Sequence, residues 1–428
     1  MTRTEPQAPI HTERDIPYAE ADIGHGTAQP ARRALLMDVY RPAGSAPLGG
    51  WPALVLSHGG AFHRGAKDRD EFEQDGARNT PVHDYCAHFA ARGYVCFSIG
   101  YRLTQEQPPP PARPVRRMQG QIARDRIDYV RQLLGLPPAS DGELVNGAEA
   151  AYADVAAAFA HIHTHAARWG IDAERMAIGG FSAGAIASAY AVFALGMPAA
   201  AIVSLSGGMD AVDAAHYVHG ARGMPPVLMF TGEHDLPSIL ERSAALAAGV
   251  ARAGLGLRHY TVPGRGHFYD SASPIVPAQA TLPGGEACAT VEAALQQFLD
   301  EALKPPTVDV ALLETFAQAW CRHDIDALMA CMADDCVFHT SAGPEASGAR
   351  HIGRAAVRAA FMKAWADVPD AQWTRARHVV AGRRGMSEWT FVGTRASDGQ
   401  PVEVDGCDLF TFHGDKIRVK DSFRKARG

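Results

Sequence analysis

The stretch Arg175-Met-Ala-Ile-Gly-Gly-Phe-Ser-Ala-Gly-Ala-Ile-Ala-Ser188 decides how most of this chain is read. Met176 to Ile178 predict a short apolar strand, the glycines a tight turn, and the alanine-rich continuation a helix opening at Ala183. Within it, Gly180-Phe181-Ser182-Ala183-Gly184 is a G-x-S-x-G pentapeptide in a strand–turn–helix context. A serine held on so sharp a turn has a strained backbone, so the positions two before and two after it must be nearly free of side chain. The turn lifts the hydroxyl clear of the sheet and leaves the next amide at a helix N-terminus, where it can face an oxyanion.

Working outward, 428 residues exceed one ordinary domain and predict two or three. A hydrophobic content of 47% with 21% charged residues fits a globular chain with a sizeable core. The net charge of −6 is mild, and without a basic stripe nucleic acid is not an expected partner. Seven cysteines, an odd number with no C-x-x-C pair, suit a reducing compartment better than a disulfide framework. The N-terminal residues lack the apolar core of a secretory signal, and no apolar run reaches the length of a membrane span. A cytoplasmic location with no membrane partner is the expectation.

Before the elbow, an edge strand is expected near Ile16 to Ala19, then strands at Ala34–Tyr40, Pro52–Ser57 and Tyr94–Gly100, with a helix over Tyr85–Arg92. The second of these strands runs into His58-Gly59-Gly60-Ala61-Phe62. Residues 103–146 form a long irregular stretch with four consecutive prolines at 108–111 and a helical piece near Ile122–Leu134, expected to be a cap or lid. An Ala-rich helix over Ala148–Trp169 feeds the elbow strand. Strands at Ala200–Leu205, Pro226–Thr231 and Leu257–Val262 follow, with helices at Ser238–Ala253 and Glu286–Leu303. Such alternation predicts an α/β domain with a mostly parallel sheet covered on both faces, binding ligand beyond the carboxyl ends of its strands.

Acyl transfer needs a nucleophile, a base, an acid that orients the base, and donors for the oxyanion. Four segments that follow strands supply candidates for catalytic residues. Ser182 is the nucleophile. Asp235, in Gly232-Glu-His-Asp235, is the acid, and His267, in Gly264-Arg-Gly-His267, is the base. The loop His58-Gly-Gly-Ala61 supplies unobstructed backbone amides.

In these motifs and their Ser…Asp…His order, residues from about 35 to 300 resemble an α/β-hydrolase of the esterase group with an H-G-G motif and G-x-S-A-G. Hormone-sensitive-lipase-like and feruloyl-esterase-like enzymes are of this kind. The resemblance implies a Ser182–His267–Asp235 triad, with the amides of Gly60, Ala61 and Ala183 as oxyanion hole. The loop reads H-G-G-A-F rather than H-G-G-G, and the elbow continues Ala-Gly-Ala rather than Ala-Gly-Gly. Phe62, Phe181, Phe268 and Tyr269 flank these groups as candidates for a substrate pocket or for plain core. His161, His163 and His165 occupy one helix, where i and i+4 could share a metal, but no third ligand follows at useful spacing and a solvated face is expected.

Two prolines in Lys304-Pro-Pro-Thr307 stop the preceding helix and mark a linker. Domains are therefore expected at 1–305 and 306–428. The second begins with a helix over Val308–Ala333, a strand at Cys336–Thr340 and a helix at Arg354–Trp365. Strands at Thr374–Ala381, Met386–Thr394, Val402–Phe412 and Lys416–Ser422 close it, an α+β order. Phe316-x-x-x-Trp320 with Asp324, His351-Ile-Gly-Arg354, and Gly406-Cys-Asp-Leu-Phe-Thr-Phe412 running to Lys416-Ile417 resemble the SnoaL-like branch of the NTF2-like superfamily. That fold hosts isomerases, cyclases, dehydratases and dimerisation modules. Asp408, His339 and Trp389 are the candidates for its pocket, and Cys321, Cys331, Cys336 and Cys407 are expected in the core rather than at a metal.

The expectation is a serine hydrolase for the carboxylic ester of a small organic substrate, with no cofactor and no metal, homodimeric through the NTF2-like domain. Amide or formamide hydrolysis and acyl transfer remain open on the same triad. So does an isomerase or cyclase activity in the second domain.

Overall fold

The computed structural model describes residues 8–47, 49–117, 124–220, 224–278, 289–305 and 308–425. Parts of the expected N-terminus, cap, last helix and linker, at 1–7, 118–123, 286–288 and 306–307, lie outside the described residues. The chain divides into two units, one ending at Lys304 and one beginning at Pro305.

In the first unit the strands β1 (Ile10–Ile23), β2 (Ala31–Pro42), β3 (Trp51–Ser57), β4 (Val95–Ile99), β5 (Ile171–Phe181), β6 (Ala201–Leu205), β7 (Val227–Gly232), β8 (Leu257–Val262) and β9 (Val276–Pro277) form one sheet. Its order is β1-β2-β4-β3-β5-β6-β7-β8-β9. From β4 to β8 every pairing is parallel, and antiparallel strands lie on both flanks. One face is covered by the helices α3 (Asp141–Thr164), α4 (Ala183–Phe193) and α6 (Pro237–Arg252), the other by α1 (Val82–Ala90) and α7 (Val291–Ala302). The helices α2 (Arg124–Leu133) and α5 (Ala211–Tyr217) complete the unit. Because both faces are covered, β3 to β7 are almost uniformly buried along their central residues, and their sequences are apolar runs rather than alternating ones.

Three of the boundaries that differ from expectation have a local reason. The N-terminal strand is far longer than Ile16–Ala19, and its pairing with β2 shifts register between Glu13 and Ile16 and again between Pro17 and Ala19. These bulges break the alternation that a period-two reading needs. Helix α1 starts earlier, since the carboxylate of the distant Asp70 accepts from the Val82 amide at 3.0 Å. Helix α3 begins at Asp141 rather than Ala148, because Ser140 and Glu143 form a reciprocal capping box.

In the second unit, α8 (Val310–Cys321) and α9 (Ile325–Cys331) replace the single helix expected over Val308–Ala333. His323 takes a left-handed backbone, and Asp324 caps the new helix by accepting from the Ala327 amide at 2.9 Å. Next come β10 (Met332–His339), β11 (Arg350–Ile352), α10 (Arg354–Asp367), β12 (Gln372–Ala381), β13 (Arg384–Thr394), β14 (Pro401–His413) and β15 (Lys416–Arg424). They form a six-stranded sheet in the order β11-β10-β15-β14-β13-β12, all antiparallel except β10 with β15. Phe316, Trp320, Phe361 and Phe410 fill the space between helices and sheet. Among the described residues no helix is long and apolar enough to cross a membrane.

The elbow glycines do more than permit a turn. A Cβ on Gly180 would lie 2.3 Å from the Ser57 carbonyl oxygen, and one on Gly184 would lie 2.1 Å from the same atom. Helix α4 therefore meets the end of β3 backbone to backbone. Gly184→Ala is expected to force these elements apart and lower stability by about 1–3 kcal/mol, read from urea unfolding. Gly142→Ala, whose added carbon would sit 4.0 Å from its nearest neighbour, should leave the transition in place.

Candidate active site

Strand β5 ends at Phe181 and the chain turns at once into α4, with Ser182 at φ 55° and ψ −115°. This strained backbone is held from both sides. The Ser182 amide donates to the Leu205 carbonyl at 2.8 Å, and its carbonyl accepts from the Ile186 amide at 3.0 Å. Asp235 follows β7 and His267 follows β8, so β5, β7 and β8, with β6 between the first two, deliver the three side chains to one edge. His267 Nε2 lies 2.9 Å from Ser182 Oγ, and Nδ1 lies 2.7 Å from Asp235 Oδ1. All three residues are buried. A neutral imidazole meets both contacts as the Nδ1–H tautomer, donating to the carboxylate and leaving Nε2 to accept from the hydroxyl.

Asp235 is itself fully engaged. The Ser206 hydroxyl donates to Oδ2 at 2.5 Å, the Leu236 amide to Oδ1 at 2.7 Å and the Gly232 amide to Oδ2 at 3.3 Å. Burial pushes the carboxyl up. The hydrogen bond and charge of His267, with the Ser206 and Leu236 bonds, outweigh it and hold Asp235 below the ordinary carboxylate value. Ser206 was not among the sequence candidates. The available signal is Ser206-Gly207-Gly208 directly after a strand, and the residue has a left-handed φ of 51° like Ser182.

The loop after β3 is built from the same kind of backbone. Gly60, Ala61 and Phe62 all have positive φ, at 112°, 56° and 60°. A Cβ on Gly60 would strike the Arg64 carbonyl oxygen at 2.0 Å. Among the described residues the Ala61 amide has no acceptor within the protein, and Ala183, first in its helix, has no carbonyl a turn earlier within that helix. Both line the cavity that Ser182 opens into. Gly60 does not line it, and its carbonyl instead accepts from the His63 and Arg64 amides. His58 is a structural member of this loop. It is buried, its ring stacks on Tyr101 at 4.2 Å, and burial pushes its pKa down.

The cavity has about 70 Å³ of free volume. The expected cap lends it Thr104, Arg116, Arg126, Ile127 and Leu144. Of the four aromatic candidates only Phe62 lines it. Phe181, Phe268 and Tyr269 are buried in the apolar layer between the sheet and α1 and α7, with Phe181 against the His267 ring at 5.3 Å. Phe268 also flanks the His267 ring, at 5.2 Å, and the Tyr269 hydroxyl lies 3.0 Å from Ser206 Oγ. Their assignment to a substrate pocket is corrected accordingly.

The His161 and His165 rings meet tilted, centroids 4.4 Å apart, with His165 Nδ1 bonded to the His161 carbonyl. Among the described residues no cluster of three or more His, Cys, Asp or Glu side chains could hold a metal ion.

The second unit has its own cavity of about 530 Å³, walled by Trp320, Phe338, Trp373, Trp389 and Phe391 and reaching Lys420. Asp408 accepts from Lys420 Nζ at 2.6 Å, from the Ser422 hydroxyl at 2.6 Å and from Trp389 Nε1 at 2.9 Å. Burial pushes the Lys420 amine down, and the Asp408 charge only partly opposes it. The register Ser387↔Asp408 and Asp408↔Ser422 puts Asp408, Lys420, Ser422 and Trp389 on one face of the sheet. His339 follows Phe338, which faces the cavity, so its side chain falls on the opposite face. Its placement in the pocket is corrected. Lys420 is the buried charge that sequence reading passed over, one cation among several in Lys416-Ile-Arg-Val-Lys420.

Residues 145–234 match the family model described as phospholipase/carboxylesterase, and residues 313–419 match the SnoaL-like domain. No match is found among curated proteins. Among solved structures, an esterase of the planctomycete Thermogutta terrifontis is 16% identical, covering 69% of this chain and 92% of its own, with a TM-score of 0.41. A Catenulispora acidiphila protein with a ketosteroid isomerase-like fold is 20% identical over 27% of this chain and 86% of its own, with a TM-score of 0.25. A Xanthomonas campestris protein of unknown function with a cystatin-like fold is 20% identical over 28% of this chain and 92% of its own, with a TM-score of 0.26. The chain thus joins a stretch similar to phospholipases and carboxylesterases to one similar to SnoaL-like domains.

Proposed function

We propose that this chain is a serine hydrolase that cleaves the carboxylic ester of a small organic substrate through an acyl-enzyme. The carboxylesterase match supports an ester hydrolase. The observation that carries the mechanism is the His267 imidazole, within 2.9 Å of Ser182 Oγ on one side and 2.7 Å of Asp235 on the other. Ser182 Oγ attacks the ester carbonyl carbon while its proton passes to His267 Nε2. The carbonyl oxygen becomes an oxyanion, received by the Ala61 amide, in the loop shaped by Gly60, and by the Ala183 amide at the start of α4. His267 returns its proton to the departing alkoxide, which leaves as the alcohol. Water then gives a proton to His267 and attacks the acyl carbon, and Ser182 regains its proton as the acid departs. Asp235 stays ionised throughout and holds the imidazolium.

For the second unit we propose a homodimer built on the outer face of its sheet. Val379, Met386, Leu409 and Phe423 share that face by register, and all but Met386 are exposed. The buried Lys420–Asp408 pair beneath an aromatic cavity favours a second role for this unit. An ion pair costs more to bury than an apolar core of the same size, so its retention under a cavity points to a small-molecule pocket, as isomerase or cyclase activity would need.

Ser182→Ala should lower ester turnover by about 10⁴-fold or more while thermal unfolding is unchanged. A fluorophosphonate probe followed by peptide mapping should label Ser182, and labelling elsewhere would overturn the assignment. Ser206→Ala should lower kcat about tenfold with KM little moved, since it loosens the acid rather than the substrate. Asp408→Asn strands Lys420 as a buried charge and should destabilise the second unit by about 3–5 kcal/mol, with Lys420→Met restoring part of the loss in the double variant. Leu409→Asp should convert a dimer into a monomer in sedimentation velocity, and a wild-type monomer would end the dimer reading.

A further inference from the structure

Two arginines, Arg126 lining the Ser182 cavity and Arg64 behind it, are arranged as no fold requirement explains. Arg126, on α2, lines the cavity with its guanidinium 5.2 Å from the ring of Phe268, the residue after His267. Gln74 accepts from its Nη1 at 2.5 Å and orients it. Arg64, just past the Gly60–Phe62 turn, lies 4.4 Å over the ring of Phe72, and Phe72 packs on Phe268 at 6.4 Å. The two cations therefore sit on a common aromatic platform beside the imidazole.

Neither has a carboxylate within salt-bridge distance among the described residues. The other two arginines that line the cavity beside Arg126 contrast with it. Arg116 and Arg242 share Asp210, at 3.0 and 2.8 Å. Arg64 Nε is buried with no hydrogen-bond partner. Burial and then the positive charge of Arg64 both push the Arg126 pKa down, and burial does the same to Arg64. Two partly desolvated like charges held together cost free energy that one anion between them would recover. A ring beneath each guanidinium leaves in-plane N–H groups to receive it, apart from the Arg126 Nη1 that donates to Gln74 and the buried Arg64 Nε.

We propose that Arg64 and Arg126 form an anion subsite at this cavity, so that the preferred substrate is an ester bearing a second, negatively charged group such as a carboxylate. The proposal rests on the ester-hydrolase reading for its reaction and on the arginines alone for its specificity. The charged group binds the guanidiniums while the scissile carbonyl reaches Ser182. Only a short spacer separates the two, given the small cavity.

The test compares p-nitrophenyl hemisuccinate with p-nitrophenyl butyrate, near-matched in length and differing in charge. The ratio of kcat/KM, hemisuccinate over butyrate, should exceed ten at low salt and fall steeply as ionic strength rises. Arg126→Gln and Arg64→Gln should each lower that ratio about tenfold, through KM, and Arg126→Lys should restore part of it. Circular dichroism and thermal unfolding confirm that the variants are folded. A ratio near one in the wild type, or one that neither variant moves, overturns the subsite while leaving Ser182-dependent butyrate hydrolysis intact. If neither ester is cleaved, the ester reading fails. Thermal protection by succinate that is lost in Arg126→Gln would then still sustain the subsite, and its absence would end that as well. Protection by inorganic phosphate equal to that by succinate would overturn the carboxylate preference in favour of a phosphorylated ligand.

Discussion

The contact on which the first unit depends is the approach of a helix end to a strand end with no side chain between them. Ser57 closes β3 and its carbonyl oxygen fills the space where Gly180 and Gly184 would each place a Cβ. This contact lets β5 turn into α4 within one residue, and that abruptness imposes the left-handed backbone on Ser182. Ser57 is also the last residue before the His58 loop, so one contact sets the separation between the nucleophile and the amides opposite it. The acid and base then arrive from β7 and β8, beyond β6 along the sheet, by ordinary βα geometry.

That dependence explains what could be read from the chain. Gly180, Ser182 and Gly184 form a local pattern with a local cause, Asp235 follows the apolar run Val227–Phe230, and His267 follows a strand bounded by turn residues. Ser206 resists the same reading. Its contact with Asp235 spans 29 residues, and Ser206-Gly207-Gly208 after a strand marks a turn but not that partner. Phe181, Phe268 and Tyr269 mislead for the opposite reason. Adjacency to a functional residue says little about direction, because neighbouring side chains on an extended segment point to opposite sides.

Direction governs the second unit too. Strand positions alternate, and Phe338 and His339 divide between the two faces while Asp408 and Lys420 meet across two strands. Their place on expected strands made Asp408, His339 and Trp389 pocket candidates. The partner of the aspartate needed the register, which depends on a bulge between Thr411 and Phe412 that no sequence pattern marks. The broken first helix was more accessible, since His323-Asp324 is an ordinary stop and restart signal.

The left-handed residues around the serine have a consequence for how this protein can change. Ala61, Phe62, Ser182 and Ser206 all hold positive φ without being glycine, and each such residue costs on the order of 1–3 kcal/mol. The region that orients the reacting groups is therefore also a concentrated weak point in the fold's stability. Glycine at any of these positions would relax the backbone of the folded chain, yet loosen the orientation of the groups it carries. Selection for heat resistance alone would drift toward relaxing these turns, and only selection for turnover would keep them strained.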